Sequence, residues 1–418
     1  MALMKATIKT LAAALALALV LTGAAGAATF KAGRGISLDL WVTWPDESRW
    51  SERETILPFP EWRKFIGPGE FDAIRASGFD MVRIPVDPSV FLSPETSALR
   101  EDLYESVRES LDLAVASGLK AILDLHAIPA GPNRAIGTVE VLEDAALFDA
   151  YVDIVRRMAR LAGTFDPQRV ALELMNEPVT GCEGAEAAAW ADKLKRLFAA
   201  ARASALDTTL ILSGACWGSA EGLAALDPAE FRGGNLIWSF HSYAPFILTH
   251  QGAGWTGDVS PYATGLPYPP HGVNEAVTQE ALTAIRARVR AEAPLLRRSG
   301  IIAFVEEELE KIGTPEKLRA VMAEPFETVA GWARTHGIDP GNILLGEFGM
   351  IRQEYGHDFR TDPHWRAAYY RDMIGLAEDH GFAWSMWGHG GAFGVFEEFE
   401  SRAAEPDVRD VVRGLPPS

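Results

Sequence analysis

The feature of this 418-residue chain that most constrains its fold is a series of eight short apolar runs separated by amphipathic stretches. The runs are apolar almost throughout, which is typical of parallel strands buried on both faces. Eight such units in succession predict an α/β fold, a TIM (β/α)8 barrel whose parallel sheet closes on itself. We predict strands over residues 35–41, 81–86, 120–126, 170–176, 210–215, 236–243, 343–348 and 382–387.

The stretches between several of these runs predict helices. Three of them end at Gly78, Gly118 and Gly381. Glycine is a frequent helix stop because it adopts the left-handed conformation at no steric cost. The predicted helices cover residues 69–77, 97–117, 142–162, 185–205 and 363–380.

Strands six and seven are separated by residues 244–342, a long insertion in a single barrel domain. Its first part, 244–274, contains Trp255, Tyr262 and Tyr268. This part leaves the carboxyl end of strand six, so we expect it to overhang the active face. Its aromatic residues are candidates for the wall of a sugar-binding cleft, and an insertion that packs on itself is the alternative. The second part, 275–337, predicts two or three helices.

The amino-terminal segment has the pattern of an export signal. Lys5 and Lys9 precede an apolar stretch over 11–21, and small residues follow as far as Ala27. This order predicts a cleavable signal peptide over residues 1–27 and a secreted or periplasmic mature chain. An uncleaved anchor is the alternative, although a bilayer span needs roughly 20 apolar residues. No linker rich in Ser, Thr or Pro follows, so we expect one catalytic domain over 28–418, monomeric and free of the membrane after cleavage.

The chain is acidic, with 57 Asp and Glu against 39 Lys and Arg and a formal net charge of −18. Such a surface repels nucleic acid and anionic membranes and suits a neutral partner such as a sugar polymer. Cys182 and Cys216 follow the tips of neighbouring predicted strands, so they form either a disulfide or two free thiols. Two cysteines without nearby histidines make a poor zinc site, and we predict no metal and no cofactor.

Two glutamates at strand ends carry most of the functional information. Glu177 lies between Asn176 and Pro178 at the end of strand four, and Glu347 lies in the sequence GEFG in strand seven. The carboxyl ends of the strands form the active face of a parallel barrel. Two carboxylates that face each other there are the minimal equipment for cleaving a glycosidic bond.

Ionisable or aromatic side chains mark the same end of four more strands: Arg83, His126, His241 with Tyr243, and Trp384 with Trp387. Each buried polar group needs a partner, so this concentration at one end indicates a site and not only a core. Single members could instead be structural, as core residues or ion-pair partners: Arg83 with Asp124, His126, His241, Trp384, and Glu173 on strand four.

In chain order these residues resemble glycoside hydrolase family 5, the cellulase-like family of retaining β-glycanases. The resemblance covers nearly the whole predicted mature chain and runs through Gly33-Arg34-Gly35-Ile36, Arg83, His126, Asn176-Glu177-Pro178, His241, Tyr243, Glu347, Trp387 and Gly394. It implies that Glu177 is the acid/base and Glu347 the nucleophile.

The chemistry of retention agrees with those roles. We expect Glu347 to be ionised, with Arg83 and Tyr243 as its donors, and its charge to keep a proton on Glu177. The remaining expected contacts are those of Asn176 with the sugar 2-hydroxyl, of His126 and His241 with hydroxyls or carboxylates, and of Trp387 as the platform under the reacting ring.

We therefore predict an exported retaining endo-β-glycanase that hydrolyses a neutral β-linked polysaccharide or oligosaccharide, a cellulase-like enzyme acting on β-1,4- or mixed-linked glucan. A β-mannanase or a β-1,3-glucan hydrolase is the first alternative, because substrate choice depends on loops such as 127–139 and 244–274. A polysaccharide-binding protein without catalysis is the second, although it would have no chemical need for both acids. A metal-dependent hydrolase built on Asp124, His126 and His241 is the third, and it lacks a second ligand pair.

Overall fold

The computed structural model describes residues 29–39, 41–57, 66–396 and 406–416. The predicted signal peptide over 1–27 lies outside these described residues. Within them, every helix is too short or too polar to cross a membrane. The barrel and the candidate site lie inside the described ranges.

The described residues form a closed barrel of eight parallel strands, in which each strand pairs with its neighbours in chain order and β8 returns to β1. The predicted TIM-barrel fold is confirmed. All eight predicted strands are present, but several end earlier than predicted, by four residues in β1 and by three in β4. The strands are β1 Arg34–Ser37, β2 Met81–Val86, β3 Lys120–Leu125, β4 Val170–Glu173, β5 Thr209–Ser213, β6 Leu236–His241, β7 Ile343–Glu347 and β8 Ala383–Met386.

Helices cover the outside of the barrel, and the five predicted helices are present with ends shifted by no more than a few residues. In Ala145–Ala162 the buried residues Tyr151, Val155 and Met158 recur at the spacing of one helix face, and Asp144 caps the first turn. The longer helices are Pro68–Ala76, Arg100–Ala116, Ala145–Ala162, Gly184–Ser204, Glu275–Glu292, Arg298–Lys311, Pro315–His336, Pro363–Asp379 and Asp407–Arg413. Shorter helical segments are Arg53–Ile56, Ser89–Leu92, Thr138–Glu143, Ala215–Gly218, Ala220–Ala224 and Phe246–Thr249.

The barrel interior is layered because strand side chains alternate between the two faces of the sheet. An apolar layer closes the amino-terminal end, where Phe30 joins side chains from the strands β2 to β7. Two residues further along their strands, Arg83, Asp124 and Glu173 form a fully buried charged layer. The candidate site lies directly above these charges, which are therefore fixed parts of its environment.

The insertion between β6 and β7 contains three long helices, in agreement with the two or three predicted. The last of them, Pro315–His336, packs against the barrel through Trp332, whose ring centroid lies 5.2 Å from that of Trp238 in β6. This helix therefore takes the place of the regular barrel helix, and the two before it are the added part.

The first part of the insertion, 244–274, supplies only some of the predicted cleft wall. Trp255 is 59% exposed and lines the cleft. Tyr268 is buried and donates a hydrogen bond to Asp372 (2.6 Å), and Tyr262 packs partly buried against the core. Of the three aromatic candidates, Trp255 alone lies at the cleft.

Cys182 and Cys216 form a disulfide, with their Cα atoms 4.4 Å apart. Of the two alternatives that the sequence left open, the bridged one is present. The bond joins the segment after β4 to the turn after β5. The sequence separation of 34 residues corresponds to a loop-closure contribution of about 3–4 kcal/mol to stability.

Candidate active site

Both predicted catalytic glutamates lie at the carboxyl end of the barrel. Glu347 is the last residue of β7, and Glu177 follows the end of β4 by four residues. One carboxylate oxygen of Glu177, one of Glu347 and a ring nitrogen of His241 all lie within 4.8 Å of one another. Glu347 is buried, whereas the Glu177 side chain retains 25% exposure.

A β-bulge turns Glu347 toward the barrel interior. In β7, Leu344 faces the interior, so strict alternation would direct Gly346 inward and Glu347 outward. The pairing of β6 with β7 shifts between Phe240 and His241, and His241 then lies opposite Glu347. Bulges often re-aim side chains beside active sites. Here the extra residue brings the carboxylate to the same side as the His241 ring.

The glycines that flank this segment are required by close approaches of other groups. A Cβ atom at Gly346 would lie 2.9 Å from Nε2 of His241, and one at Gly349 would collide with the carbonyl oxygen of Trp387. Both positions therefore need glycine, as the sequence GEFG around Glu347 indicated.

Arg83 is the buried cation beneath the site. Its pKa lies well above the ordinary value: burial alone would lower it, but the charges of the surrounding carboxylates outweigh burial. Its guanidinium also donates from Nη2 to Oδ1 of Asn176 (2.6 Å). The sequence left two roles open for Arg83, a donor to Glu347 and a structural partner of Asp124. Both contacts are present. The ion pairs join Nη2 to Asp124 (2.9 Å), Nε to Glu173 (2.7 Å) and Nη1 to Glu347 (2.7 Å).

Glu347 receives one hydrogen bond at each carboxylate oxygen. Arg83 donates to Oε1 (2.7 Å), and the hydroxyl of Tyr243 donates to Oε2 (2.9 Å). Burial, with the nearby charge of Glu347, raises the pKa of Tyr243 well above its ordinary value, so the phenol keeps its proton and acts as a donor. Two donors stabilise the anionic carboxylate.

Glu177 has different surroundings. Its Oε1 lies 2.8 Å from Nδ1 of His241. Burial raises the pKa of Glu177 to about 7, and the negative charges of Asp124 and Glu173 add to the shift. The principal cause is therefore burial, and not the charge of Glu347 from which we predicted a raised pKa.

His241 provides a partner for Glu177 in either of its protonation states. Burial lowers the pKa of His241, so the ring is neutral and one of its nitrogens carries a proton. With this proton on Nδ1, the ring donates to Oε1 of Glu177 both when the other oxygen of that carboxyl group is protonated and when the group is ionised. The same nitrogen lies 3.7 Å from Oε2 of Glu347, so His241 stands between the two acids.

A second group of cleft-lining side chains consists of His126, Asn176 and Trp387. Nδ1 of His126 lies 2.7 Å from Asp124, and burial lowers the pKa of His126 to about 4. The neutral ring therefore donates from Nδ1 and accepts at Nε2, which lies 3.3 Å from Nδ2 of Asn176. The ring stacks on Trp387 with centroids 5.1 Å apart. These contacts fix the orientation of all three side chains.

The structure brings the predicted site residues together around one cleft of about 650 Å³. Arg83 lies beneath it in contact with Glu347. Trp384, by contrast, packs edge-to-face against Phe79 and Phe348 in the core, as its structural alternative proposed. The predicted residues that line the cleft are His126, Asn176, Glu177, His241, Tyr243, Glu347 and Trp387.

Sequence reasoning missed two exposed aromatic residues of the cleft, Trp217 and Phe246. Each follows a strand by a few residues, Trp217 after β5 and Phe246 after β6. A search of the strand tips for ionisable groups passes over both. Trp217 could have been found from its position. It comes just after the apolar run of β5 has ended, where a large aromatic side chain has no place in the strand core.

A parallel barrel with two acidic side chains meeting at its carboxyl rim, in a cleft lined by aromatic rings, has the arrangement of a barrel glycosidase. Comparison with known families gives the same class. The model of the family Cellulase (glycosyl hydrolase family 5) matches residues 68–392. The chain belongs to this family, and the family predicted from the sequence is confirmed.

Curated relatives carry the names of glucan-degrading enzymes. Endoglucanase C of Acetivibrio thermocellus is 26% identical over 242 residues, which is 58% of this chain and 65% of that protein. Cellodextrinase A of Ruminococcus flavefaciens is 28% identical over 231 residues, which is 54% of this chain and 63% of that protein. The chain thus spans a little under two thirds of the length of these relatives.

Solved structures share the fold. The Clostridial cellulose synthase subunit Z from Clostridioides difficile has a TM-score of 0.65 and 20% identity, covering 91% of this chain and 99% of that one. Thermotoga maritima Cel5A, in complexes with cellobiose and with mannotriose, has a TM-score of 0.62 and 20% identity, covering 91% of this chain and 97% of that one. At this level of identity the likeness concerns the fold alone.

Proposed function

We propose that this protein is a retaining β-glycanase that hydrolyses a β-linked glucan, with Glu347 as nucleophile and Glu177 as acid/base. The observation that carries the proposal is that both carboxyl groups meet at one rim, with oxygens within 4.8 Å. Retaining glycosidases hold these groups about 5–5.5 Å apart, whereas inverting ones need roughly 6.5–9.5 Å to admit a water between acid and base. The close spacing favours direct attack by a carboxylate on the sugar.

In the first step, an oxygen of Glu347 bonds to the anomeric carbon while Glu177 gives its proton to the departing glycosidic oxygen. The two environments support this division of labour. Glu347 accepts hydrogen bonds from Arg83 and Tyr243. The pKa of Glu177, raised by burial to about 7, leaves a large protonated fraction near neutral pH.

In the second step, Glu177 has lost its proton and acts as the base. It takes a proton from a water molecule, and the water oxygen attacks the anomeric carbon and releases Glu347. His241 keeps its proton on Nδ1 and donates to Oε1 of Glu177 (2.8 Å) in both steps, because this oxygen accepts a hydrogen bond in the acid and in the carboxylate. The proposal therefore needs no change in the position or the tautomer of the ring.

The second group of cleft-lining side chains suits the sugar that reacts. Oδ1 of Asn176 accepts from Arg83 and one N–H of its amide faces Nε2 of His126, so the second N–H is available to a sugar hydroxyl, for which we propose the 2-hydroxyl. The Trp387 ring, backed by His126, presents an apolar face suited to a sugar ring.

The substrate proposal is a β-1,4- or mixed-linked glucan attacked within the chain. It is supported by family membership and by the names of the matched endoglucanases. β-Mannan is the second candidate, because one of the solved relatives binds mannotriose.

A panel of purified polymers with product sizing tests both candidates. Carboxymethylcellulose, mixed-linked β-glucan, β-1,3-glucan and β-mannan are incubated with the enzyme, and the products are sized and examined by NMR before mutarotation. The expected result is β-configured oligosaccharides from the β-1,4- or mixed-linked glucan. Initial α-anomers, or no cleavage of any polymer by the folded enzyme, would contradict the proposal.

Glu177, His241 and Glu347 also offer ligand atoms within 4.8 Å of one another, so a metal-dependent hydrolase is a specific alternative. Dialysis against a chelator distinguishes the two mechanisms. The glycosidase mechanism predicts unchanged turnover after dialysis. Loss of turnover that zinc or manganese restores would overturn it.

We further propose that the chain is exported with residues 1–27 removed, and that the mature protein acts as a monomer. The support is the order of charged, apolar and small residues in the amino-terminal segment. Amino-terminal sequencing of the secreted protein, with light scattering on the purified material, tests both statements. An intact first residue or a stable dimer would refute the corresponding part.

A further inference from the structure

The turn after β5 holds three consecutive residues in the left-handed region. Cys216 has φ 57° and ψ 51°, Trp217 has φ 58° and ψ 32°, and Gly218 has φ 68°. Glycine adopts this conformation freely, but cysteine and tryptophan do so rarely because of their Cβ atoms. Such residues keep the conformation only where surrounding contacts impose it.

Two connections tie this turn to the segment that carries Glu177. The disulfide joins Cys216 to Cys182. The backbone N–H of Trp217 donates to the carbonyl oxygen of Pro178, which follows Glu177 directly (3.0 Å). The turn and the acid-bearing segment are therefore held as one unit, and the position of the Trp217 side chain is coupled to that of Glu177.

The unit presents a large aromatic face to the cleft. The Trp217 side chain is 48% exposed and lines the same cleft as Glu177. An exposed tryptophan beside catalytic groups in a concave site is a candidate for ligand contact. Trp387 follows β8, three strands around the closed barrel from β5, and stacks on His126 where the reacting sugar is proposed to bind.

We propose that the Cys182–Cys216 disulfide is a positioning element that fixes Trp217 as the stacking surface for the sugar that leaves in the first step. The inference rests on the proposed function. The acid must reach the oxygen between the reacting sugar and the leaving sugar. An aromatic face attached beside that acid, and away from Trp387, therefore meets the leaving sugar.

Two substrates separate this role from a purely structural one. Cellopentaose has a sugar as its leaving group, whereas β-cellobiosyl fluoride loses fluoride, which cannot stack on an indole ring. The measured quantity is the ratio of kcat/KM for cellopentaose to that for the fluoride. The variants are Trp217→Ala, Trp217→Phe, the double variant Cys182→Ala with Cys216→Ala, and the triple variant that adds Trp217→Ala. Leu206→Ala, at a 74% exposed residue away from the cleft, is the control.

We expect the ratio to fall at least about tenfold in Trp217→Ala and to recover in part in Trp217→Phe, which keeps an aromatic face. The cysteine double variant shows a similar fall, and the triple variant falls no further than Trp217→Ala, because both changes act through one side chain. The control keeps the ratio of the unmodified enzyme. All assays run well below the unfolding temperature of each variant, measured by circular dichroism.

Three outcomes would overturn the inference. One is an unchanged ratio in Trp217→Ala. Another is a cysteine double variant that loses rate equally on both substrates, which would mean a structural role only. The third is a triple variant whose losses simply add. Failure of the unmodified enzyme to cleave either substrate would instead refute the proposed function, on which the inference rests.

Discussion

Glu173 and Glu177 lie four residues apart on the same segment and have opposite surroundings. Glu173 is fully buried and contacts Arg83 at 2.7 Å. Glu177 opens to the cleft, and the nearest ionisable partner of its carboxyl group is His241 at 2.8 Å. Burial raises the pKa of both, to about 7 for Glu177. The difference is that a guanidinium offsets the charge of Glu173 directly, whereas Glu177 has a neutral imidazole.

This difference separates two kinds of buried acid in one barrel. In the inner layer Asp124 and Glu173 both contact the guanidinium of Arg83, and burial still raises the pKa of both acids, to about 6 for Asp124. The rim holds a carboxyl group that exchanges its proton at moderate pH, and Glu347 joins the two levels because it contacts Arg83 from above. A charge without a cationic partner is costly inside a protein, and that cost is what keeps an acid protonated.

The largest expected effect is that of Glu347→Gln. The amide cannot form the covalent intermediate, so kcat should fall roughly 10⁴-fold or more on both cellopentaose and β-cellobiosyl fluoride. Steady-state kinetics measures the loss, and circular dichroism checks that the variant folds. A variant that keeps a substantial part of its rate on the fluoride would remove Glu347 from the role of nucleophile.

Glu177→Ala should have a smaller effect that depends on the leaving group. On cellopentaose kcat/KM should fall about 10²–10⁴-fold, because the departing sugar oxygen needs a proton. On β-cellobiosyl fluoride the fall in kcat/KM should be far smaller. Added azide should restore rate on the fluoride and give a β-azide product. Equal losses on the two substrates would contradict the assignment of Glu177 as the acid.

Arg83→Met tests the inner layer. It leaves Asp124, Glu173 and Glu347 without their cation, which should lower the free energy of unfolding by about 3–5 kcal/mol. The loss should be smaller at pH 5 than at pH 8, because the stranded carboxyl groups can then be protonated. Denaturant unfolding at pH 5 and at pH 8 measures the free energy of unfolding of the variant and of the unmodified protein.

Arg34→Met is the matched control for that measurement. Arg34 also pairs with a glutamate, Glu378 at 2.8 Å, but this pair lies partly exposed on the outside of the barrel. Its loss should therefore cost no more than about 1 kcal/mol. Equal effects of the two substitutions would mean that the inner layer contributes nothing beyond a surface ion pair.

The sequence predicted the barrel and the positions of its two acids for a definite physical reason. Strands buried on both faces must be apolar along their length, so a charged residue at a strand end stands out, as Glu177 and Glu347 do. The strand ends were predicted too late, for example at 176 for β4, which ends at Glu173. Apolar character alone does not distinguish a paired residue from one in a loop that happens to be buried.

Other features depend on contacts between distant segments, which no local pattern contains. The bulge that turns Glu347 inward arises from the pairing of β6 with β7. The left-handed turn that carries Trp217 is joined by a disulfide to a segment 34 residues earlier. The principal cause of the raised pKa of Glu177 was also missed, because burial depends on how loops close over the rim.

The smallest predicted effect is on stability, and it differs in size between the two glutamates of the comparison. Because the folded-state pKa of Glu177 is raised from 4.5 to about 7, the folded protein holds a proton that the unfolded chain releases between those values. The contribution of Glu177 to stability is therefore most favourable at low pH and declines as the pH rises from about 4.5 through about 7. Glu177→Gln removes the buried charge, so it should stabilise the protein by about 1–3 kcal/mol at pH 8 and change little at pH 4.

Glu173→Gln should give a smaller gain at pH 8, because the guanidinium of Arg83 offsets part of the cost of burying the Glu173 charge. Thermal unfolding of both variants at pH 4 and pH 8 measures the two effects side by side. If Glu177→Gln lowered stability at pH 8, or stabilised the protein less than Glu173→Gln, Glu177 would be one more structural charge held by a partner. A gain that develops between about pH 4.5 and 7 and then levels off, with a fall in kcat/KM of the unmodified enzyme as the pH rises past about 7, would tie the cost in stability to the proton that the reaction uses.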